Sequence, residues 1–308
     1  MPTRKGSFRL FQLAGITVYL HWSWFIVAIL IIQLRSGAYT SPVWNVLEYL
    51  ALFLIVLMHE FGHQLACRSV GGKTNDIILF PLGGVAYVNP PQRPGAQLWS
   101  IAAGPLVNVL LIPVLTVLLL LFGGHPSLQG IEPDEFAGFL NDVWIINLVL
   151  LIFNLMPVYP LDGGQILRSL LWFPFGRANS LFIASVIGFI GVAGLVGVAL
   201  LLRSIWLGIM AVFILMNCWG GLKQARALAK IAKIPRREGF ACPSCKTAPP
   251  LGALWRCGKC GNAFDTFLTQ GICPHCGTQF NVTQCLDCGN RFPISEWSAE
   301  GGNQETAG

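Results

Sequence analysis

The sequence predicts an α-helical polytopic membrane protein of about six transmembrane helices, with a small β-hairpin at the membrane surface and a small cysteine-rich domain at the C-terminus. Three observations carry this expectation. Of 308 residues, 54% are apolar and only 11% charged, against about a quarter charged in soluble domains. Apolar runs long enough to cross a bilayer recur up to Leu222. Eight of the ten cysteines fall in the last quarter as four C-x-x-C pairs. The net charge of +6 suits a nucleic-acid binder, but most basic residues flank apolar spans, where orientation in the membrane accounts for them. Nucleic acid is therefore not an expected partner.

Residues 1–15 carry Arg4, Lys5 and Arg9, and ITVYLHWSWFIVAILIIQL follows from Ile16 to Leu34. This run exceeds a signal peptide's apolar core and no A-x-A site follows it, so it reads as a retained first span. His21, beside the two belt tryptophans Trp22 and Trp24, reads as an interfacial side chain. The second span covers residues 43–66. After it, IILF and VAYV flank the breaker PLGG, the pattern of a short hairpin at the inner surface.

The third span runs from Ala96 to Phe122, with Gly104 and Pro105 early in it, and an acidic loop follows from Gly123 to Gly138. The fourth span, residues 139–157, leads into NLMPVYPLDGGQ, where Pro157 and Pro160 stop the helix while Gly163 and Gly164 permit a tight turn presenting Asp162. Residues 165–178, with Arg168 and Arg177, form an amphipathic connector. From Leu181 to Leu222 only Arg203 and Ser204 interrupt the apolar run; as one helix it would measure about 63 Å, so it folds back as spans five and six. Gly188, Gly191, Gly194 and Gly197 give span five a small-residue packing surface. The expected division is a membrane core at 1–222, a basic connector at 223–238, a cysteine module at 239–295 and a disordered tail at 296–308.

Six spans put both termini on one side, and charge chooses it. Arg4, Lys5, Arg9, Arg68, Lys73, Arg93, Arg168, Arg177 and the six basic residues from Lys223 to Arg237 lie on that side, against Arg35 and Arg203 opposite. Positive charge favours the cytoplasm. Four unoxidised C-x-x-C pairs require the same reducing compartment, so the expected location is the cytoplasmic membrane with both termini cytoplasmic.

Within the second span, VLMHEFGHQLAC holds His59, Glu60 and His63. Positions four apart share a helix face, so His59 and His63 can offer two imidazole nitrogens to one zinc ion, and Glu60 can take a proton from water activated there. This is the H-E-x-x-H arrangement of zinc hydrolases. Measured from Asn45, His59 lies roughly 21 Å along a hydrocarbon core of about 30 Å, which puts the metal nearer the inner face. Ionisable residues at that depth mark a functional site unless each has a partner.

A catalytic zinc takes three protein ligands and keeps one position open. The carboxylates between His63 and Asp162 are Asp76, Glu132, Asp134, Glu135 and Asp142, and the last four belong to the outer face. Asp76 on the hairpin and Asp162 remain, and Asp162 matches the depth better.

HEFGH at 59–63 followed by NLMPVYPLDGG at 154–164 resembles the site-2 protease family of intramembrane zinc metalloproteases, whose second motif is N-x-x-P-x-x-P-x-D-G-G. LFPLGGVA and AAGPLVN resemble it too, so the likeness covers roughly residues 7–222. The resemblance implies that His59, His63 and Asp162 hold zinc, that Glu60 is the general base, and that Asn154 stabilises the tetrahedral oxyanion. It implies regulated intramembrane proteolysis of membrane-protein substrates in the lipid bilayer, such as single-span regulators or signal-peptide remnants.

In the tail, Cys242 and Cys245, Cys257 and Cys260, Cys273 and Cys276, and Cys285 and Cys288 make two tetrahedral zinc sites. Sequential pairing gives two zinc ribbons; cross-bracing, first pair with third, stays open. A protein contact fits the ribbons better than nucleic acid. Two other functions compete with a protease. A catalytically lapsed, membrane-anchored zinc-ribbon adaptor has no use for Glu60, since structural zinc needs ligands but no base. A metal transporter needs polar residues along several spans, which spans three, five and six largely lack.

Overall fold

The computed structural model describes residues 6–297 except 36, 38, 81–82 and 129–133. Arg4, Lys5, Glu132, the Pro81–Leu82 centre of the hairpin breaker and the tail beyond residue 297 lie outside these. Two strands open the chain, β1 (Ser7–Leu13) and β2 (Ile16–His21), followed by a short helix α1 (Ser23–Leu34). Helix α2 (Pro42–Ser69) leads to β3 (Lys73–Phe80) and β4 (Gly83–Asn89). The helices α3 (Pro94–Leu121), α4 (Glu135–Leu155), α5 (Asp162–Leu201) and α6 (Ile205–Ala232) complete the core. Among the described residues, α2 to α6 are the five helices long and apolar enough to cross a membrane.

The expected first span from Ile16 to Leu34 is corrected: it is half strand and half helix. Its first residues, ITVYLH, are β-branched and aromatic with a two-residue period, and Ile16 and Val18 are wholly buried against Ile77 and Leu79. Strand β2 pairs antiparallel with β1 and parallel with β3, so the expected hairpin β3–β4 is half of a four-stranded sheet ordered β1-β2-β3-β4. The 12 residues of α1 reach about 18 Å, short of a bilayer core of about 30 Å. The chain nevertheless travels the length of α2. Strand β2 lies beside β3 just beyond the C-terminal end of α2, while Arg35 meets Asp142 at 2.5 Å and Glu48 at 3.2 Å near the other end.

Local signals set the helix ends. Ser41 accepts from Val43 N with Pro42 behind it, Asp134 accepts from Ala137 N at 2.7 Å, and Ser204 accepts from Leu207 N. Helix α5 breaks at Gly176, where φ 74° and ψ 174° suit glycine, which separates the expected connector from span five. Spans five and six fold back at Leu202–Ser204 as expected. Of the small-residue surface, Gly188 and Gly191 are needed: a Cβ would stand 2.5 Å from Cys218 Sγ and 2.4 Å from Val158 Cγ2 respectively, whereas Gly194 and Gly197 meet nothing within 4 Å.

The C-terminal module has one core, built on Trp255, Phe264, Phe267, Trp297 and buried cysteines. The boundary expected at residue 295 is too early, because Trp297 is wholly buried and its carbonyl accepts from Ala241 N at 2.7 Å. Cysteine pairing is nested, first pair with fourth and second with third. Neither the sequential nor the cross-braced scheme is adopted.

Candidate active site

His59, Glu60 and His63 lie on α2, all nine-tenths or more buried. Helix α3 packs over the two imidazoles with Ser100, Gly104 and Asn108, which stand four apart on one face. Asn108 Oδ1 accepts from His59 Nδ1 at 2.6 Å, and the Ser100 carbonyl accepts from His63 Nδ1 at 2.9 Å. Gly104 lies between them, and a Cβ there would stand 2.3 Å from His63 Nε2. Asn147 of α4 fixes Asn108: Asn108 Nδ2 donates to Asn147 Oδ1 at 2.8 Å and Asn147 Nδ2 donates to the Asn108 carbonyl at 3.0 Å.

Helix α5 begins at Asp162. Its Oδ2 is 3.0 Å from His59 Nε2 and 3.3 Å from His63 Nε2, and the two Nε2 atoms are 3.1 Å apart. Gly163 and Gly164 make this approach possible, but not through turn conformations as expected; both are helical. A Cβ on Gly163 would stand 2.2 Å from the Leu155 carbonyl oxygen, and one on Gly164 2.4 Å from Tyr159 N. The glycines let the start of α5 press into the chain leaving α4.

These hydrogen bonds decide what the cluster can hold. With each Nδ1 donating to an oxygen, a neutral imidazole presents its lone pair at Nε2. Two such lone pairs and a carboxylate oxygen then face one another at 3.0–3.3 Å, an arrangement that repels itself without a cation. Metal–ligand bonds of about 2.0–2.1 Å at tetrahedral angles separate ligand atoms by about 3.3–3.4 Å, so the residues fit zinc.

Of the two carboxylates left open by sequence, Asp162 is the one gathered with the histidines. Asp76 pairs with Thr17 in the β2–β3 ladder, and its carbonyl accepts from Gln64 Nε2. Asn154 is half-buried in the last turn of α4, two turns along from Asn147; among the described residues no hydrogen bond joins it to the three converging atoms. Cys67 is buried and outside the cluster. His21 accepts from or donates to Ser23 Oγ at 2.6 Å and packs on Phe80, away from the cluster. Sequence reasoning missed Ser100, Asn108 and Asn147. The signal available was an asparagine inside each of two apolar spans, a costly choice that calls for a partner.

In the tail, Cys242 Sγ and Cys288 Sγ are 3.7 Å apart, as are Cys245 and Cys285; Cys257 and Cys276 are 3.6 Å apart, and Cys260 and Cys273 3.7 Å. Zinc–sulfur bonds of about 2.3 Å place tetrahedral sulfurs about 3.8 Å apart, so both clusters fit zinc. A hydrogen bond from Cys285 holds the Cys245 thiol down to about 4, and the same contact pushes Cys285 up. His275, between Cys273 and Cys276, is exposed.

A profile of Peptidase family M50 matches residues 48–137 and 131–198. A zinc metalloprotease of Methanocaldococcus jannaschii is 32% identical over 74% of this chain and 63% of its own length. A putative zinc metalloprotease of Synechocystis is 30% identical over 72% of this chain and 61% of its own. The chain thus spans less than two thirds of these relatives. Among solved structures, the site-2 protease from Methanocaldococcus jannaschii superposes with a TM-score of 0.52 at 30% identity, over 70% of this chain and 95% of that one.

Proposed function

The chain belongs to peptidase family M50, the site-2 protease family, and from that membership we propose that it is an intramembrane zinc metalloendopeptidase. It hydrolyses peptide bonds within or next to the transmembrane segments of other membrane proteins. The observation that carries this reading is the convergence of His59 Nε2, His63 Nε2 and Asp162 Oδ2, with Glu60 buried in the same turn of α2.

A zinc ion held by those three residues supplies a Lewis acid for the scissile carbonyl and lowers the pKa of a water molecule. Glu60 takes the proton of the attacking water and returns it to the leaving amine. Asn108 and the Ser100 carbonyl keep both imidazoles in the tautomer that leaves Nε2 unprotonated. Asn154 donates its side-chain amide to the oxyanion. A peptide bond in a spanning helix is hydrogen-bonded and shielded, so the substrate must unwind. Strand β4 is a sheet edge, and its free backbone groups can take the unwound segment as an added strand.

The bias of basic residues and the eight metal-ready cysteines support a place in the cytoplasmic membrane with both termini cytoplasmic. Single-span regulators and signal-peptide remnants suit such a site, and the cysteine module suits a protein contact. N-terminal peptides from membranes holding the native chain or Glu60→Gln test the activity. New N-termini at the edges of transmembrane segments, present only with the native chain, are expected; identical sets of N-termini would contradict the reading.

A further inference from the structure

Among the described residues, helix α6 supplies none of the three converging atoms, yet it touches the stretch that presents one of them. Residues 156–161 join α4 to α5 and end at Asp162. Pro157 and Pro160 have no N–H to give, so the stretch can form few backbone hydrogen bonds of its own. Its carbonyls are nevertheless engaged one after another. That of Val158 accepts from Leu161 N at 2.9 Å, that of Tyr159 from the Cys218 thiol of α6 at 2.9 Å, and that of Pro160 from Gln165 Nε2 of α5 at 2.9 Å.

Tyr159 is where these contacts concentrate. At the start of α5, a Cβ on Gly164 would stand 2.4 Å from Tyr159 N; further along α5, one on Gly188 would stand 3.4 Å from both its N and its O. On α6, a Cβ on Gly221 would stand 3.1 Å from Cε1 and 3.4 Å from Cδ1 of the Tyr159 ring, and 2.8 Å from Ser185 Oγ. Val158 and Tyr159 also pack on the buried cluster of Val192, Ala211, Ile214 and Cys218, where α5 meets α6. The loop before Asp162 is thus gripped by helix segments that lie later in the chain.

Such a grip has a task. Asp162 Oδ2 faces two Nε2 lone pairs at 3.0 and 3.3 Å, a contact that repels itself before a cation arrives. A carboxylate free to swing away would have to be ordered again by each incoming ion, at a cost in affinity. We propose that Tyr159 is a positioning residue for Asp162: its ring, seated against Gly221 of α6, holds the carboxylate where the third zinc ligand must be. Tyr159 fills a position that the N-x-x-P-x-x-P-x-D-G-G pattern leaves open, and α6 becomes part of the frame of the metal site. The inference rests on the ligand set His59, His63 and Asp162 proposed above.

Core zinc affinity tests it, measured by chelator competition on the full chain in lipid, with the tail's zinc as internal reference and Asp162→Ala alongside. Tyr159→Ala is expected to weaken core zinc about 10-fold, whereas Tyr159→Phe, which keeps the ring, stays within about twofold of the native chain. Gly221→Ala leaves every atom of the loop in place and crowds the ring, so a loss of about threefold is expected; it reads the same effect if Tyr159→Ala does not accumulate. A ring that merely packed two helices would cost melting temperature but leave the zinc affinity of the folded chain alone. Native core affinity in Tyr159→Ala, or in Gly221→Ala where that chain alone accumulates, overturns the inference by itself if Asp162→Ala has lost its zinc. An equal loss in Tyr159→Phe overturns the role of the ring. Core zinc kept by Asp162→Ala overturns the ligand set, and this inference with it.

Discussion

The backbone of Gly104 lies against the imidazole of His63 so closely that a Cβ would stand 2.3 Å from Nε2 and 2.4 Å from Cε1. The same hypothetical atom would be 2.8 Å from His59 Nε2. Helix α3 therefore forms one wall of the His59–His63–Asp162 cluster, and only hydrogen fits at this position.

Gly104→Ala should empty the membrane site. Overpacking a rigid core costs about 1–3 kcal/mol, and here the displaced atoms are two ligand nitrogens rather than flexible side-chain ends. Metal analysis should find the tail's zinc retained and the core's zinc lost. Full core occupancy in Gly104→Ala would show that α3 gives way.

Asn108→Ala should weaken core zinc by about 10- to 100-fold, the usual cost of losing a partner that orients a histidine ligand. Asn147→Ala acts one bond further out and should cost less, because Asn108 keeps its contact with His59. Competition with a chelator of known affinity measures both. Equal, negligible effects would separate the asparagine pair from the metal.

Asp162→Ala should lose core zinc and activity together, whereas Asp76→Ala should keep the metal, since the Asp76 contact to Gln64 runs through its backbone carbonyl. The reverse outcome would move the third ligand to the sheet.

The histidine pair was legible because His59, Glu60 and His63 fall within five residues, about one helical turn, a pattern set by local geometry alone. Asp162 was legible more weakly, through depth and chain order. Ile16–Leu34 was misread because an apolar run does not by itself distinguish a buried strand from a spanning helix. The β-branched alternation of Ile16 and Val18 was the available clue. Asn108 and Asn147 stood out only as polar residues inside apolar spans; which partners they take was illegible, because those partners lie on other helices. Cysteine pairing was illegible for a related reason: four C-x-x-C pairs are locally alike, and the aromatic core around Trp255 and Trp297 decides which meet.

The nested pairing has its own test. In a chain with Cys242→Ser and Cys285→Ser together, one cluster is altered and Cys257, Cys260, Cys273 and Cys276 remain intact. Cobalt substitution should then show one full tetrathiolate centre. Sequential or cross-braced pairing would place the two changes in different sites and leave no intact centre.

The central claim is that this cluster is a working hydrolytic centre and not a structural one, and Glu60→Gln tests it most directly. Purified in lipid with its zinc counted, the variant should bind core zinc as the native chain does, because His59, His63 and Asp162 are untouched, while cleavage of a transmembrane substrate falls by about 10²- to 10⁴-fold with loss of the general base. A Glu60→Gln chain that retains its zinc and cuts at the native rate would contradict the account.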